Sequence, residues 1–254
     1  MRQLGPRDLA ASAAALAACV ALWWLASHAG WLSPVFLPSP EATARSLVEG
    51  LAAGELAAFT WSTLQRMLLG FGLASACGVA LGCAVGLSST LRAWIGPTLE
   101  FVRPLPASAV MPLAIALFGL SDGMVLAVVA FGSMWPVLLA TVHGLAAVHE
   151  RLHEVARALE LSRAAFVLRI GLPNALPDIV AGMRVALTVS LIVSVVGEMI
   201  ASQPGLGQAI LLAARAFRAS ELFAGIALLG ALGLASNALL ALAERRLLAW
   251  QHPA

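Results

Sequence analysis

Six stretches of the chain run almost without a charged side chain, near residues 9–29, 67–87, 105–120, 123–148, 179–201 and 222–243. Most reach the roughly 20 residues that an α-helix needs to cross about 30 Å of hydrocarbon. The stretch 105–120 is shorter and holds Pro106 and Pro112, with Pro104 just before it. It is counted as a span because the next run follows after only the turn Ser121-Asp122-Gly123. The pattern predicts an all-α integral membrane protein of about six transmembrane helices. Arg2 and Arg7 precede the first run as they would in a signal peptide, but "WLASHAG" is a poor cleavage site, so an uncleaved anchor is expected. The Pro-punctuated segment after it ("LSPVFLPSPE") leads into a short amphipathic helix, which suggests a division into 1–57 and a core of five spans in 58–254.

Between the fourth and fifth runs lies "HERLHEVARALELSRAAFVLRIGLP", residues 149–173. Of the fifteen basic and thirteen acidic side chains in the chain, seven fall there. Leu152, Val155, Ala156 and Leu159 recur at helical spacing and predict an apolar stripe. Glu154, Arg157, Glu160 and Arg163 step by three and could pair along one flank. Ser162 is placed to cap a second helix through Phe166 to Ile170, and Pro173 and Pro177 to end the loop and start the fifth span. A helix with an apolar ridge and charged shoulders suits a groove on a partner. The alternative is a helix lying at the lipid interface.

Composition agrees with the pattern. The chain is 61% hydrophobic and 11% charged, where globular domains hold about 45–50% apolar and about 25% charged residues. All fifteen cationic side chains are arginine. Without lysine there is no GxxxxGK[ST] phosphate loop and no Schiff-base chemistry. A net charge of +2 makes no case for nucleic acid. Cys19, Cys77 and Cys83 lie in apolar runs with no metal spacing, so neither a disulfide framework nor a cofactor is expected.

Six spans place both termini on one side. That side collects Arg2, Arg7, Arg92, Arg103, Arg151, Arg157, Arg163, Arg169, Arg245 and Arg246; the other holds Arg45, Arg66, Arg215 and Arg218. The bias predicts that the termini and the polar island are cytoplasmic.

The island's first five residues fit HExxH, with His149 and His153 on one helical face and Glu150 as a base. A cytoplasmic loop with no soluble domain around it argues against an intramembrane zinc protease, and no third ligand suggests itself. The following residues, "EVARALELSRAAFVLRIGLP", resemble the EAA loop of the permease subunits of bacterial ATP-binding-cassette importers. Glu154, Ala156, Ile170, Leu172 and Pro173 stand at matching places; Val155 replaces an alanine and Glu160 a glycine. A non-glycine residue in a left-handed turn costs roughly 1 kcal/mol, so the turn either has another geometry or accepts that cost. "LPSP" at 37–40, "RPLPASAVMPLAIALFGL" at 103–120, "GEM" at 197–199, "GLG" at 205–207 and "ERRLL" at 244–248 are similar to the nitrate, sulfonate and taurine branch of these permeases.

The resemblance implies a non-enzymatic subunit of the bacterial inner membrane, importing a small anionic nutrient. It implies a second permease copy (a homodimer), two copies of a cytoplasmic ATPase and an extracytoplasmic binding protein. The docking residues would be Leu152, Glu154, Val155, Ala156, Arg157, Leu159, Glu160, Leu161, Ser162 and Pro173.

Within the spans, Gly70, Ala74, Gly78, Gly82 and Gly86 fall every four residues and predict a close helix–helix seam, static or sliding. Pro106 and Pro112 free backbone carbonyls, which places that helix against protein or water and makes it a pathway candidate. Arg184, Glu198 and the adjacent Met199 are candidates as well. Arg184 and Glu198 share a face but lie about 21 Å apart at 1.5 Å per residue, too far to pair. Each could instead be an interfacial anchor. A secondary transporter would need more ionisable groups near mid-membrane than these runs hold.

Overall fold

A computed structural model describes residues 6–30, 33–102 and 105–248. Arg2, Arg103 and Pro104, which entered the sequence reading, lie outside these. The described residues form α-helices and no strand: α1 (Pro6–His28), α2 (Pro40–Ala52), α3 (Glu55–Gly86), α4 (Ser89–Val102), α5 (Met111–Phe118), α6 (Asp122–Ala146), α7 (Glu150–Ala158), α8 (Arg163–Phe166), α9 (Leu172–Ala201), α10 (Leu206–Arg215) and α11 (Ala219–Leu247). Five helical stretches are long and apolar enough to cross a membrane: Ala10–His28, α3, α6, Arg163–Ala201 and α11.

Three of them make the core. The α3 residues Gly70, Ala74, Gly78, Gly82 and Gly86 are all buried. A β-carbon added at Gly70 would strike Val129, at Gly78 Val137, at Gly82 Thr141 and at Gly86 Leu145. Both series climb in step, so α3 and α6 lie parallel, with backbones closer than larger residues permit. A neighbouring face of α6 meets α9. Gly144 faces Ala175, Gly182 faces Ala140, and Gly197 faces Val125. Here one series rises as the other falls, so this pair is antiparallel. Ser190 donates to Ser133 Oγ across it at 2.8 Å, satisfying two hydroxyls buried among apolar neighbours.

A parallel α3–α6 pair forces residues 87–121 to travel back from one end of the bundle to the other. The sequence pattern predicts one span over 105–120, and here the structure differs. Residues 107–110 form a 3₁₀ turn and α5 only two turns of α-helix. Pro106 is extended (φ −66°, ψ 127°), Pro112 opens α5, and Gly119 at φ +66° ends it. Proline lacks the donor that a continuous helix would need at each point. The rest of the return is α4, which carries Pro97 and reads too polar at its start to register as apolar. The α3 helix begins at Glu55, twelve residues before the predicted run, since Thr60, Thr63 and Arg66 dilute its first turns.

The island forms the loop between α6 and α9, and the bundle end beside it is called the loop end. At the far end, α1 is tied by two tryptophans. Trp23 donates to the Pro38 carbonyl at 2.9 Å and stacks on Phe223 of α11. Trp24 donates to Glu41 Oε1 at 2.7 Å. The Glu41 carboxyl sits below the ordinary carboxylate range, held first by its own backbone N–H at the start of α2 and then by the Ser39 hydroxyl.

Gly78→Ala forces a methyl against Val137, the Met134 carbonyl and the Leu138 amide, at 2.9–3.1 Å. It is expected to cost about 1–3 kcal/mol, read as a lower midpoint of thermal unfolding in detergent. Gly72→Ala, with nothing within 4 Å, is expected to leave the midpoint unchanged or raise it slightly.

Candidate functional site

Two features stand out along the core: a cavity on one side of α6 and α9, and the loop beneath it. The cavity encloses about 1150 Å³. Its walls are the 105–111 stretch, one face of α6 from Gly132 to Ala146, and one face of α9 from Asp178 to Val196. Val185, Val189, Ile192, Val193 and Val196 make the α9 wall oily. Val185 and Ile192 are each more than half exposed, so the groove is open along that side. Polar groups are few: Ser108 and the Trp135 indole midway, and Arg92, His143 and Asp178 toward the loop end.

Of the residues named as pathway candidates from the sequence, Pro106 lines this cavity; Pro112, Arg184, Glu198 and Met199 do not. Arg184 forms an ion pair with Glu244 of α11. Glu198 is fully buried at the far end, where its carboxylate is saturated. It accepts from Arg66 Nη1 (2.8 Å), Thr63 Oγ1 (3.0 Å) and the Gly207 backbone N–H (2.9 Å). Arg66 also donates to Asp122 (2.8 Å) and to the Pro204 carbonyl (2.9 Å). One ionic cluster thus ties α3, the start of α6, the end of α9 and the start of α10. The "GLG" segment is shaped to it. A side chain at residue 205 would collide with the Glu198 carboxylate, and one at 207 with the Val195 carbonyl.

Sequence reading found Glu198, the GEM and the GLG, but not Thr63, Arg66 or Asp122. Arg66 and Glu198 are 132 positions apart, and periodicity sees only neighbours on one helix. The available signal was an arginine interrupting the apolar face of a span.

In the loop, α7 begins at His149, whose Nδ1 accepts from the Arg151 N–H at 3.2 Å, which caps the helix. The other histidine of HExxH, His153, stacks on Phe166 with ring centroids 4.7 Å apart. Among the described residues no group of three or more His, Cys, Asp or Glu side chains could hold a metal ion. The expected stripe divides. Ala156 is buried and Leu152 half-buried, while Val155 and Leu159 are exposed at 47% and 65%. Glu154 and Arg157 are exposed as well.

The turn after α7 is a Schellman motif. Leu161 N–H donates to the Ala156 carbonyl (2.9 Å) and Glu160 N–H to the Arg157 carbonyl (3.0 Å). Glu160 sits at its left-handed position, φ +51°. The backbone accepts the cost that a glycine would avoid. This also corrects one expectation: Glu154, Arg157, Glu160 and Arg163 form no ion pair among the described residues, because the chain reverses at Glu160 and their common flank ends there. Ser162 caps α8 as predicted, accepting from Ala165 N–H at 3.2 Å. The second helix does not stop near Ile170. A π turn over Val167–Gly171 joins α8 to α9, and Leu172 N–H reaches back to the Val167 carbonyl. The widened turn makes room for Pro173, whose ring would strike the preceding turn of a regular α-helix. The second arm of the loop and the span are therefore one helical rod.

Residues 74–249 match the family described as the inner membrane component of binding-protein-dependent transport systems. The chain is 31% identical, over 93% of its own length and 86% of the relative's, to a Bacillus subtilis (strain 168) protein provisionally named as the aliphatic sulfonates transport permease protein SsuC. It is 29% identical to the taurine transport system permease protein TauC of Escherichia coli (strain K12), over 96% and 90%. It is 29% identical to the bicarbonate transport system permease protein CmpB of Synechococcus elongatus, over 74% and 68%. A crystal structure of an amino acid ABC transporter with histidines shares the fold, with a TM-score of 0.58 at 22% identity over 79% of this chain and 97% of that one.

Glu198→Ala takes the buried counter-charge from Arg66, which is 12% exposed and keeps only the Pro204 carbonyl and the exposed Asp122, and is expected to destabilise the protein by about 3–5 kcal/mol. Asp122→Asn removes a partner that is 68% exposed and is expected to cost under about 1 kcal/mol. Denaturation in detergent compares them. By the same measurement Glu160→Gly relieves a left-handed residue and is expected to stabilise by about 1 kcal/mol.

Proposed function

The chain belongs to the inner-membrane components of binding-protein-dependent transport systems, as an ATP-binding-cassette importer permease of the sulfonate, taurine and nitrate branch, and we propose that it passes a small sulfonate-type anion through the α6–α9 groove under the control of a separate ATPase seated on α7. One observation carries the reading. The α9 helix walls the groove and, through the π turn, is also the second arm of the loop that presents Val155 and Leu159.

The energetics favour this division of labour. Moving a two-state gate from 1:99 to 99:1 takes about 5.5 kcal/mol of differential binding. The chain has no lysine and hence no P-loop to draw that from ATP itself. The exposed apolar pair on α7, flanked by Glu154 and Arg157, suits a cleft on the ATPase, with two such subunits serving two permease copies. A second, identical copy would close the open side of the groove and shield Val185 and Ile192. The arginine bias puts α7 and both termini in the cytoplasm. The far end, with α2 and α10, would then meet an external binding protein.

The sulfonate reading rests on the named activities of the relatives, sulfonate and taurine transport among them, together with the groove's chemistry. A mostly apolar wall with a few polar groups holds a cargo loosely, which suits a conduit whose selectivity is set by the binding protein. Arg92 and His143 offer cationic or donor groups to an anion near the loop end.

Glu154→Lys reverses charge at the α7 shoulder, and Leu159→Ser removes its most exposed apolar side chain. Each is expected to reduce co-purification of the ATPase subunit several-fold while monodispersity and thermal midpoint stay those of the parent. Full complex recovery with both variants would overturn the docking assignment. Uptake into vesicles bearing the whole assembly, over taurine, methanesulfonate, nitrate, bicarbonate and a pyrimidine precursor, is expected to favour a sulfonate. Preference for the pyrimidine precursor would overturn the cargo class.

A further inference from the structure

At the loop end a second cavity of about 960 Å³ lies between the α3–α4 turn and the α7–α8 loop. Its charged lining is of one sign. Arg92, Arg157 and Arg163 border it together with His153, and Ser88 and Thr90 add hydroxyls. Among the described residues no Asp or Glu lines it; Asp178 belongs to the wall of the larger groove. Arg157 and Arg163 are exposed and Arg92 is half-buried, and like charges gathered around one space favour an anion within it.

Further observations point the same way. Arg92 Nη2 donates to the Gly86 carbonyl at 3.0 Å, but its Nε is buried with no partner among the described residues. A buried donor on a charged group is costly to leave unmade. Ser88 caps α4, its Oγ accepting from Leu91 N–H at 3.1 Å, so the positive end of a 14-residue helix borders the same space. Arg92 also lines the larger groove, so one guanidinium borders both cavities.

We propose that this cavity is a site for a small oxyanion, a sulfonate or phosphate group gripped by Arg92, Arg157 and Arg163. The site lies where a transported anion would leave the groove, and this placement on the exit route rests on the functional reading above. The same chemistry is carried by a phospholipid headgroup of the adjacent leaflet. An anion held there lies against the α7 flank formed by His153 and Arg157, so occupancy is felt by the docking helix.

The test uses the full chain in nanodiscs of phosphatidylcholine alone, with trifluoromethanesulfonate as probe and its ¹⁹F linewidth as readout. Saturable broadening, reversed by inorganic phosphate, is expected. Arg92→Gln and Arg163→Gln are each expected to weaken it at least about tenfold, while Arg163→Lys retains most of it. Thermal midpoints matching the parent exclude misfolding as the cause. In discs containing a third phosphatidylglycerol, unchanged affinity identifies a free anion as the occupant, and loss of probe binding identifies the headgroup; either supports an oxyanion site. No saturable broadening in phosphatidylcholine discs, or broadening that both glutamine variants leave intact, overturns it. Binding by a chain whose assembly carries no sulfonate would leave the site standing and sink the cargo assignment. Sulfonate uptake by a chain that binds no probe would do the reverse.

Discussion

Close approach of helix backbones is the constraint from which the rest of the molecule follows. In lipid, an apolar side chain gains little by leaving one hydrocarbon environment for another, so association depends on fit. The α3 strip supplies that fit against Val129, Val137, Thr141 and Leu145, and Gly144, Gly182 and Gly197 supply it between α6 and α9. Because the α3–α6 pair is parallel, the chain between them must return the length of the bundle. Met111 and Ala114 anchor that return in the core with Met124, Val125 and Val128 of α6, while Pro97, Pro106 and Pro112 interrupt its helix. The return segment is accordingly short-helical, proline-broken and half-exposed, and it borders the groove instead of sealing it.

At the far end, charge enters the bundle where the small residues stop. Glu198 follows Gly197 directly, and its carboxylate fills the space that Gly205 leaves empty. With Arg66, Thr63 and the Gly207 amide around it, the acid meets the rule that a buried charge needs both a counter-charge and hydrogen bonds. A hydrophobic substitute of the same volume could stabilise a static protein equally well. What the polar version adds is geometry. Directional bonds fix where the first turn of α10 must sit relative to α3 and α9, which shape-matched methyl groups would leave looser.

The legible and illegible parts of the fold separate along a physical line. Features set by neighbours on one helix were readable. The glycine strip appears at the positions predicted, the polar island folds into two short helices, and Ser162 caps the second. The choice left open at Glu160 is settled by its φ of +51°. Features set by remote partners were not readable: nothing in the pattern around Thr63 or Arg66 names Glu198 or Asp122. Hydropathy over 105–120 gave no sign that the segment breaks into a 3₁₀ turn and a short helix, because it sums apolarity and takes no account of the hydrogen bonds that proline removes. The start of α3 was missed for the opposite reason, since its polar residues are the ones the cluster uses.

The continuity of α8, the π turn and α9 bears most directly on the proposed function. Arg163–Ala201 is a single helical stretch of 39 residues, roughly 58 Å at 1.5 Å per residue. One end belongs to the loop on which the ATPase is proposed to act, the middle walls the groove, and the other end holds α10 through Glu198. A hinge anywhere along it would absorb a push. The rod instead has a π turn at Val167–Gly171 that accommodates Pro173 and is packed on both flanks, with Val167 and Gly171 buried. A displacement passed from α7 across the Glu160 turn into α8 would therefore reach the α9 wall and the α10 anchor along one continuous helix. Packed interfaces resist continuous deformation and move between discrete arrangements. If α9 moves during transport, the seams against α6 that make it stable are also the surfaces on which it would shift. Glycine and alanine suit both tasks, because a seam of small residues has few side chains to interlock and so a low barrier to sliding.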